Sequence, residues 1–173
     1  MTFDAVGSAD TAGLPTAEFA FPGRLRDRLV AAILDGSKTS TTGLALEHQR
    51  EDERLPQVGD RSVLVDSDGR PVAVLEVTSI RFVPLAEVDL SHARDEGEGH
   101  QTVAQWRDGH ESFWHSSQMR AELGNPDLTV DDATLVVLER FDVVARLPHG
   151  PASRSSGVQR AGRRTTTGHL RSR

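Results

Sequence analysis

The chain has 173 residues, 36% of them hydrophobic and 27% charged, with a formal net charge of −6 at neutral pH. That is enough for one domain with its own core and too little for two comfortable ones. Cysteine and tyrosine are absent, which excludes disulfides, thiolate metal sites and cysteine nucleophiles and leaves Ser, Thr, His, Lys, Asp and Glu as the groups able to do chemistry.

Residues 1–17 are small and aperiodic and read as a flexible leader. They lack the basic start and apolar middle of a secretory signal. The longest apolar run, Leu29 to Leu34, is far too short to span a bilayer, so a cytoplasmic protein with no membrane partner is expected. Pro22 opens a helix whose Leu25, Leu29, Val30, Ala32 and Ile33 form one stripe, with Gly36 as its stop. The hydroxyl-rich segment Asp35 to Gly43 follows, loop-like in composition, and Leu44 to Arg50 suits a short helix. Pro56 to Asp60 is a turn before a strand over Ser62 to Asp66. Ser67-Asp68-Gly69 then closes a hairpin into a second strand from Val72 to about Val83.

Ser91 to Glu96 reads as a short helix broken by Gly97 and Gly99. A longer helix is predicted from Thr102 to about Leu123, with Val103, Trp106, His110 and Phe113 at helical spacing. Asn125 to Asp127 is a loop, and Thr134 to Arg146 has the β-branched richness of a long, central or bent strand. This order of elements argues for a small α+β domain over 18–147 rather than regular βαβ alternation. Residues 148–173 form an Arg-rich tail with six arginines and no acid. Its composition predicts disorder, either as a source of phosphate contacts to nucleic acid or as a solubilising extension. Without it the body carries fourteen basic against twenty-six acidic residues.

Three constellations bear on function. His110 and His115 are five apart, about 140° round a helix, so they do not make the zinc helix, whose histidines are four apart. The acidic cluster Asp95, Glu96 and Glu98 would ordinarily be a solvated face. Its glycines and the following Trp106 helix also suit a carboxylate partly removed from water, the setting that raises its pKa for acid work. Lys38 is the chain's only lysine against nineteen arginines. It lies in a segment that is not a phosphate-binding P-loop, because the Gly-x-x-x-x-Gly-Lys spacing is missing. The plain reading of this segment is a helix-terminal loop whose hydroxyls satisfy local backbone groups. Alternatively, burial can make a lysine a base, which arginine cannot be. Thr41, three residues on, would share its face if the segment coils, and would then be its nucleophile.

The segment Gly36-x-Lys38-Thr39, the turn Val58-Gly59-Asp60, the stretch Glu96 to Gly99, then Trp106, Arg107, His110 and Phe113, and the strand Val136 to Val144 together resemble the ASCH family. The resemblance runs from about Phe19 to Leu147. It implies a small, mostly antiparallel PUA-like β-barrel flanked by helices and associated with RNA. In small bacterial members it implies amide hydrolysis of acetylated cytidine nucleosides by a Lys/Thr/Glu trio, which falls here on Lys38, Thr41 and Glu96. Lys38 would deprotonate Thr41, and Glu96 would protonate the leaving amine. Thr39, Ser40, Glu98, Trp106, Arg107 and His110 are the candidates for substrate binding, although a tryptophan on an apolar stripe is more often core. The small enzymes carry an arginine where this chain has Gly43, and they lack the Trp106 helix. The resemblance also allows a non-catalytic RNA-binding module or a ribonuclease. No metal or organic cofactor is implied, and the expected partner is a nucleoside or RNA.

Overall fold

The computed structural model describes residues 11–50 and 54–148, with the side chains of residues 49 and 50 left out of the description. The predicted leader lies mostly, and the arginine tail almost wholly, outside these residues. Five strands form one sheet in the order β1-β3-β4-β5-β2: β1 Thr16–Ala17, β2 Ser40–Leu44, β3 Arg61–Val65, β4 Pro71–Pro84 and β5 Leu135–Arg146. Only β1 runs parallel to its neighbour β3; the other pairings are antiparallel. Among the described residues the sheet stays open, with β1 and β2 at its two edges, so the barrel expected from the resemblance is met only loosely. The long β4–β5 ladder carries register shifts between Val74 and Leu75 and between Val77 and Ser79. Such bulges bend a strand pair.

Among the described residues five α-helices flank the sheet: α1 Arg24–Asp35, α2 Ala45–Arg50, α3 Leu90–Asp95, α4 Val103–Trp114 and α5 Ser117–Glu122. Helix α1 ends where predicted, at Gly36, whose φ of +85° is the left-handed stop that glycine adopts without strain. Two predictions differ from the structure. The hydroxyl segment is no loop beyond Thr39, because Ser40 to Leu44 pair with Arg140 to Val136 as β2. Threonine fits a pleated strand, and β5 supplies a long partner. The single helix expected over 102–123 is two helices. His115 caps α4, and the Ser116 hydroxyl accepts the Met119 N–H to start α5. Serine at that position favours a new N-cap over continuation of the turn.

Two apolar clusters fill the fold. One packs Trp106, Phe113 and Trp114 of α4 against Leu44, Val136 and Leu138 of the sheet. The other packs Leu29, Val30 and Ile33 of α1 with Phe19, Leu75 and Phe141. Glu96 accepts from Trp106 of the first cluster, and Lys38, just before β2, lies 5.6 Å from the Phe19 ring centroid of the second.

Candidate functional site

The site forms because α1 stops at Gly36 and the chain enters β2 two residues after Lys38, alongside the end of α3. Backbone pairing fixes this approach: Thr39 N donates to Asp95 O at 2.8 Å, and Lys38 N donates to Ala32 O at 3.0 Å. The Arg140–Asp95 ion pair at 2.6 Å ties β5 to the same end of α3. Gly97 permits the closeness. A Cβ there would lie 2.7 Å from Ser37 O and 2.9 Å from Lys38 Cα, at a φ of +70°.

Glu96 is the hub, with no solvent exposure. Its Oε1 accepts the Thr42 hydroxyl at 2.7 Å and the Trp106 indole N–H at 3.0 Å. Its Oε2 faces Lys38 Nζ at 3.9 Å and His110 Nε2 at 3.3 Å, the latter without hydrogen-bond geometry. His92 Nε2 lies 2.9 Å from Thr42 Oγ1. That hydroxyl has one proton and gives it to Glu96, so His92 is the donor in the contact. Burial alone would push the Glu96 carboxyl up. The opposing influence of His110, His92 and Lys38 holds it well below the usual carboxylate range. Glu96 is therefore an ionised carboxylate at rest, not the raised-pKa acid that its place in a glycine-flanked loop suggested.

Lys38 is 1% exposed. Its Nζ donates to Ser40 O at 3.0 Å and to Glu96 O at 3.1 Å, faces the Glu96 carboxylate, and lies 5.6 Å from the centroid of the Phe19 ring. Every polar neighbour is an acceptor, which suits the three donors of an ammonium and leaves nothing for an amine lone pair to accept.

The structure brings together Lys38, Glu96, Ser40, Trp106 and His110, and it separates Thr41. Side chains alternate along a strand. Ser40 and Thr42 therefore turn towards α3, where the Ser40 hydroxyl donates to His92 O at 3.1 Å. Thr41 turns to the opposite face and hydrogen-bonds to neither Lys38 nor Glu96. Coiling would have united Lys38 with Thr41; the extended strand unites Glu96 with Thr42 instead.

Trp106 is fully buried and packs against the His110 ring at a centroid distance of 4.1 Å, a core position rather than an open stacking platform. The His110 ring is fixed by a 2.9 Å contact from Nδ1 to Trp106 O. Thr39 and Lys38 wall a cleft of about 200 Å³ between the end of α1 and β5. Glu98 lines a second cleft of about 190 Å³ with Arg28 and His100. Arg107 lies apart, paired with Glu111 at 2.6 Å and with Asp132 at 2.5 Å. Sequence reading missed His92 and Thr42. The available signal was the four-residue spacing of His92 and Glu96 on one helix face. Among the described residues no group of three or more His, Asp or Glu is placed to hold a metal ion.

A family model described as the ASCH domain matches residues 17–145. The chain belongs to the ASCH family. The ASCH family is RNA-associated. Among solved structures, the ASCH domain from Lactobacillus crispatus JV V101 is 29% identical with a TM-score of 0.66, over 76% of this chain and 80% of that one. A protein from Enterococcus faecalis V583 is 25% identical with a TM-score of 0.66, over 76% of this chain and 77% of that one. Among proteins of curated function none matches this ASCH chain. No helix among its described residues is long and apolar enough to cross a membrane.

Proposed function

We propose that this ASCH protein is a hydrolase that cleaves the acyl–amine bond of a modified nucleoside such as N4-acetylcytidine, with Glu96, Thr42 and Lys38 as its working groups. The observation that carries this reading is the 2.7 Å hydrogen bond from the Thr42 hydroxyl to the buried Glu96 carboxylate. A hydroxyl becomes a nucleophile when a base stands ready to take its proton. Glu96 takes the Thr42 proton as Oγ1 attacks the acyl carbon, and the tetrahedral intermediate collapses as that proton passes to the leaving amine. Water, deprotonated by Glu96, then attacks the threonyl ester and releases the acid and the free hydroxyl. The Lys38 ammonium keeps Glu96 ionised between turnovers and offers positive charge beside the oxyanion. His92 fixes the Thr42 rotamer.

A hydrolysis screen against acylated nucleosides tests this, with Glu96→Gln and Thr42→Val beside Thr41→Val. Turnover should fall by roughly 10²–10⁴ in the first two and persist in the third. No hydrolysis of any acylated nucleoside by the native chain sinks the reading. Loss in Thr41→Val with retention in Thr42→Val would return the nucleophile to Thr41. One observation favours a non-catalytic RNA-binding module: Lys38, Thr42, His92, Glu96, Trp106 and His110 are each at most 2% exposed, as in a structural polar network. That module would bind RNA with steep salt dependence and turn nothing over.

A further inference from the structure

Helix α1 serves a cleft as well as the core. Its residues Leu25, Leu29 and Ala32 line an open cleft of about 190 Å³, and the segment after α3 forms the other wall with Glu98 and His100. Arg28 joins the lining from the same side of α1, since positions 25, 28, 29 and 32 are neighbours at helical spacing. The His100 ring is seated beside α4, where a Cβ on Gly109 would lie 3.5 Å from its Cε1.

Three ionisable side chains thus meet around one opening. Among the described residues, Arg28, Glu98 and His100 make no hydrogen bond or ion pair. Glu98 is half-buried, and its Oε1 is shut off from water without a partner. Elsewhere on the surface arginines close on nearby carboxylates, as in Arg54–Asp60, Arg61–Glu76 and Arg81–Asp89. Arg28 and Glu98 share a cleft and stay apart. The result is an opening with one negative wall, one positive wall and an aliphatic strip between them.

We propose that this cleft binds a free aliphatic α-amino acid of valine or leucine size. The carboxylate of the ligand sits on the Arg28 guanidinium, which can hold it through two parallel N–H bonds. The ammonium lies against Glu98 and compensates a carboxylate that burial leaves without a partner. The aliphatic side chain lies along Leu25, Leu29 and Ala32. Size agrees, because a cavity of about 150 Å³ already holds a benzene-sized molecule. The two charged walls also select against simpler ligands. A plain amine leaves Arg28 unanswered, and a plain carboxylic acid brings a second anion beside Glu98. Glu96, Thr42 and Lys38 do not line this cleft, so the site stands whether or not the chain hydrolyses a nucleoside.

The test reads binding without turnover. Uniformly 15N-labelled full chain is titrated with L-leucine, N-acetyl-L-leucine, L-leucinamide and free glycine. The last three lack in turn the ammonium, the carboxylate and the side chain. Leucine should perturb the amides of α1 and those around Glu98 and His100, and bind about tenfold tighter than each of the others. Arg28→Gln, at an exposed position, should weaken leucine about tenfold and leave leucinamide unchanged. Glu98→Gln should weaken leucine and leave N-acetyl-leucine unchanged. A native amide spectrum before titration shows that each variant is folded. No saturable shift with leucine up to about 20 mM would overturn the proposal. So would shifts centred away from this cleft, equal affinity for leucine and either blocked form, or native leucine affinity in Arg28→Gln.

Discussion

Lys38 shows at the scale of one residue why this arginine-rich chain retains a lysine. Its Nζ sits among the Ser40 carbonyl, the Glu96 carbonyl and the Glu96 carboxylate, in a space shut to solvent and floored by the Phe19 ring. An ammonium is compact and spreads three donors in three directions; a guanidinium is a planar fork that needs more room. Lys38→Arg should therefore destabilise the fold by overpacking, by about 1–3 kcal/mol, besides lowering turnover. Lys38→Met keeps the length and removes the charge. It should leave Glu96 a buried, weakly compensated carboxylate, at a cost of about 3–5 kcal/mol. Urea melts of the two variants check this order; a Lys38→Met protein as stable as the native chain would remove the ion pair from the account. The unusual lysine was visible in the composition, but its role was not. What settles the role is the set of acceptors around it, and those come from segments nearly sixty residues apart.

At the scale of elements, the approach of the α3 end to the start of β2 decides the site, and Gly97 is its pivot. Alanine at 97 would drive a Cβ to 2.7 Å from Ser37 O and 2.9 Å from Lys38 Cα, both backbone atoms with little freedom to yield. It would also force a side chain into a φ of +70°. Gly97→Ala should cost about 1–3 kcal/mol and lower turnover by displacing Lys38 and Glu96 together; a variant with native melting and native activity would contradict this.

The elements themselves were largely legible. Helix α1 with its glycine stop, the β3–β4 hairpin at Ser67 to Gly69, and the long β5 all announce themselves through local periodicity and turn chemistry. The conversion of Ser40 to Leu44 into a strand was not legible, because only its pairing with Val136 to Arg140 makes it one. The threonine that hydrogen-bonds to Glu96 is therefore Thr42, where a coiled segment would have offered Thr41. A helix-like spacing joins positions three apart, while a strand alternates, and one step along β2 exchanges the Glu96 face for the Glu139 face. Likewise Glu139 looks like any charged residue within a valine-rich strand, and its loss of water follows from packing the sequence does not display.

At the scale of the whole molecule, the two buried glutamates give the fold an asymmetric response to pH. Glu96 is held well below the usual carboxylate range, so its contribution to stability is present above its unfolded value near 4.5 and fades as pH falls below that. Glu139 works the other way. Its carboxyl is raised from 4.5 to about 8, so between those values the folded chain holds a proton that the unfolded chain has released. Stability therefore declines as pH climbs through this window, by on the order of a few kcal/mol in total, with about 1.4 kcal/mol for each unit of displacement. Above about pH 8 the whole penalty is in force, because both states are ionised and only the folded one keeps the charge out of water. The stability maximum should lie on the acidic side of neutrality, near pH 5. Urea denaturation at intervals from pH 4.5 to 9 measures this directly. The native chain should lose stability steadily from pH 5 towards pH 8.5. Glu139→Gln, which cannot ionise, should flatten that slope and overtake the native chain at the alkaline end. A native profile level from pH 5 to 8.5, or one that Glu139→Gln leaves unchanged, would mean that Glu139 ionises in the folded chain as readily as in the unfolded one.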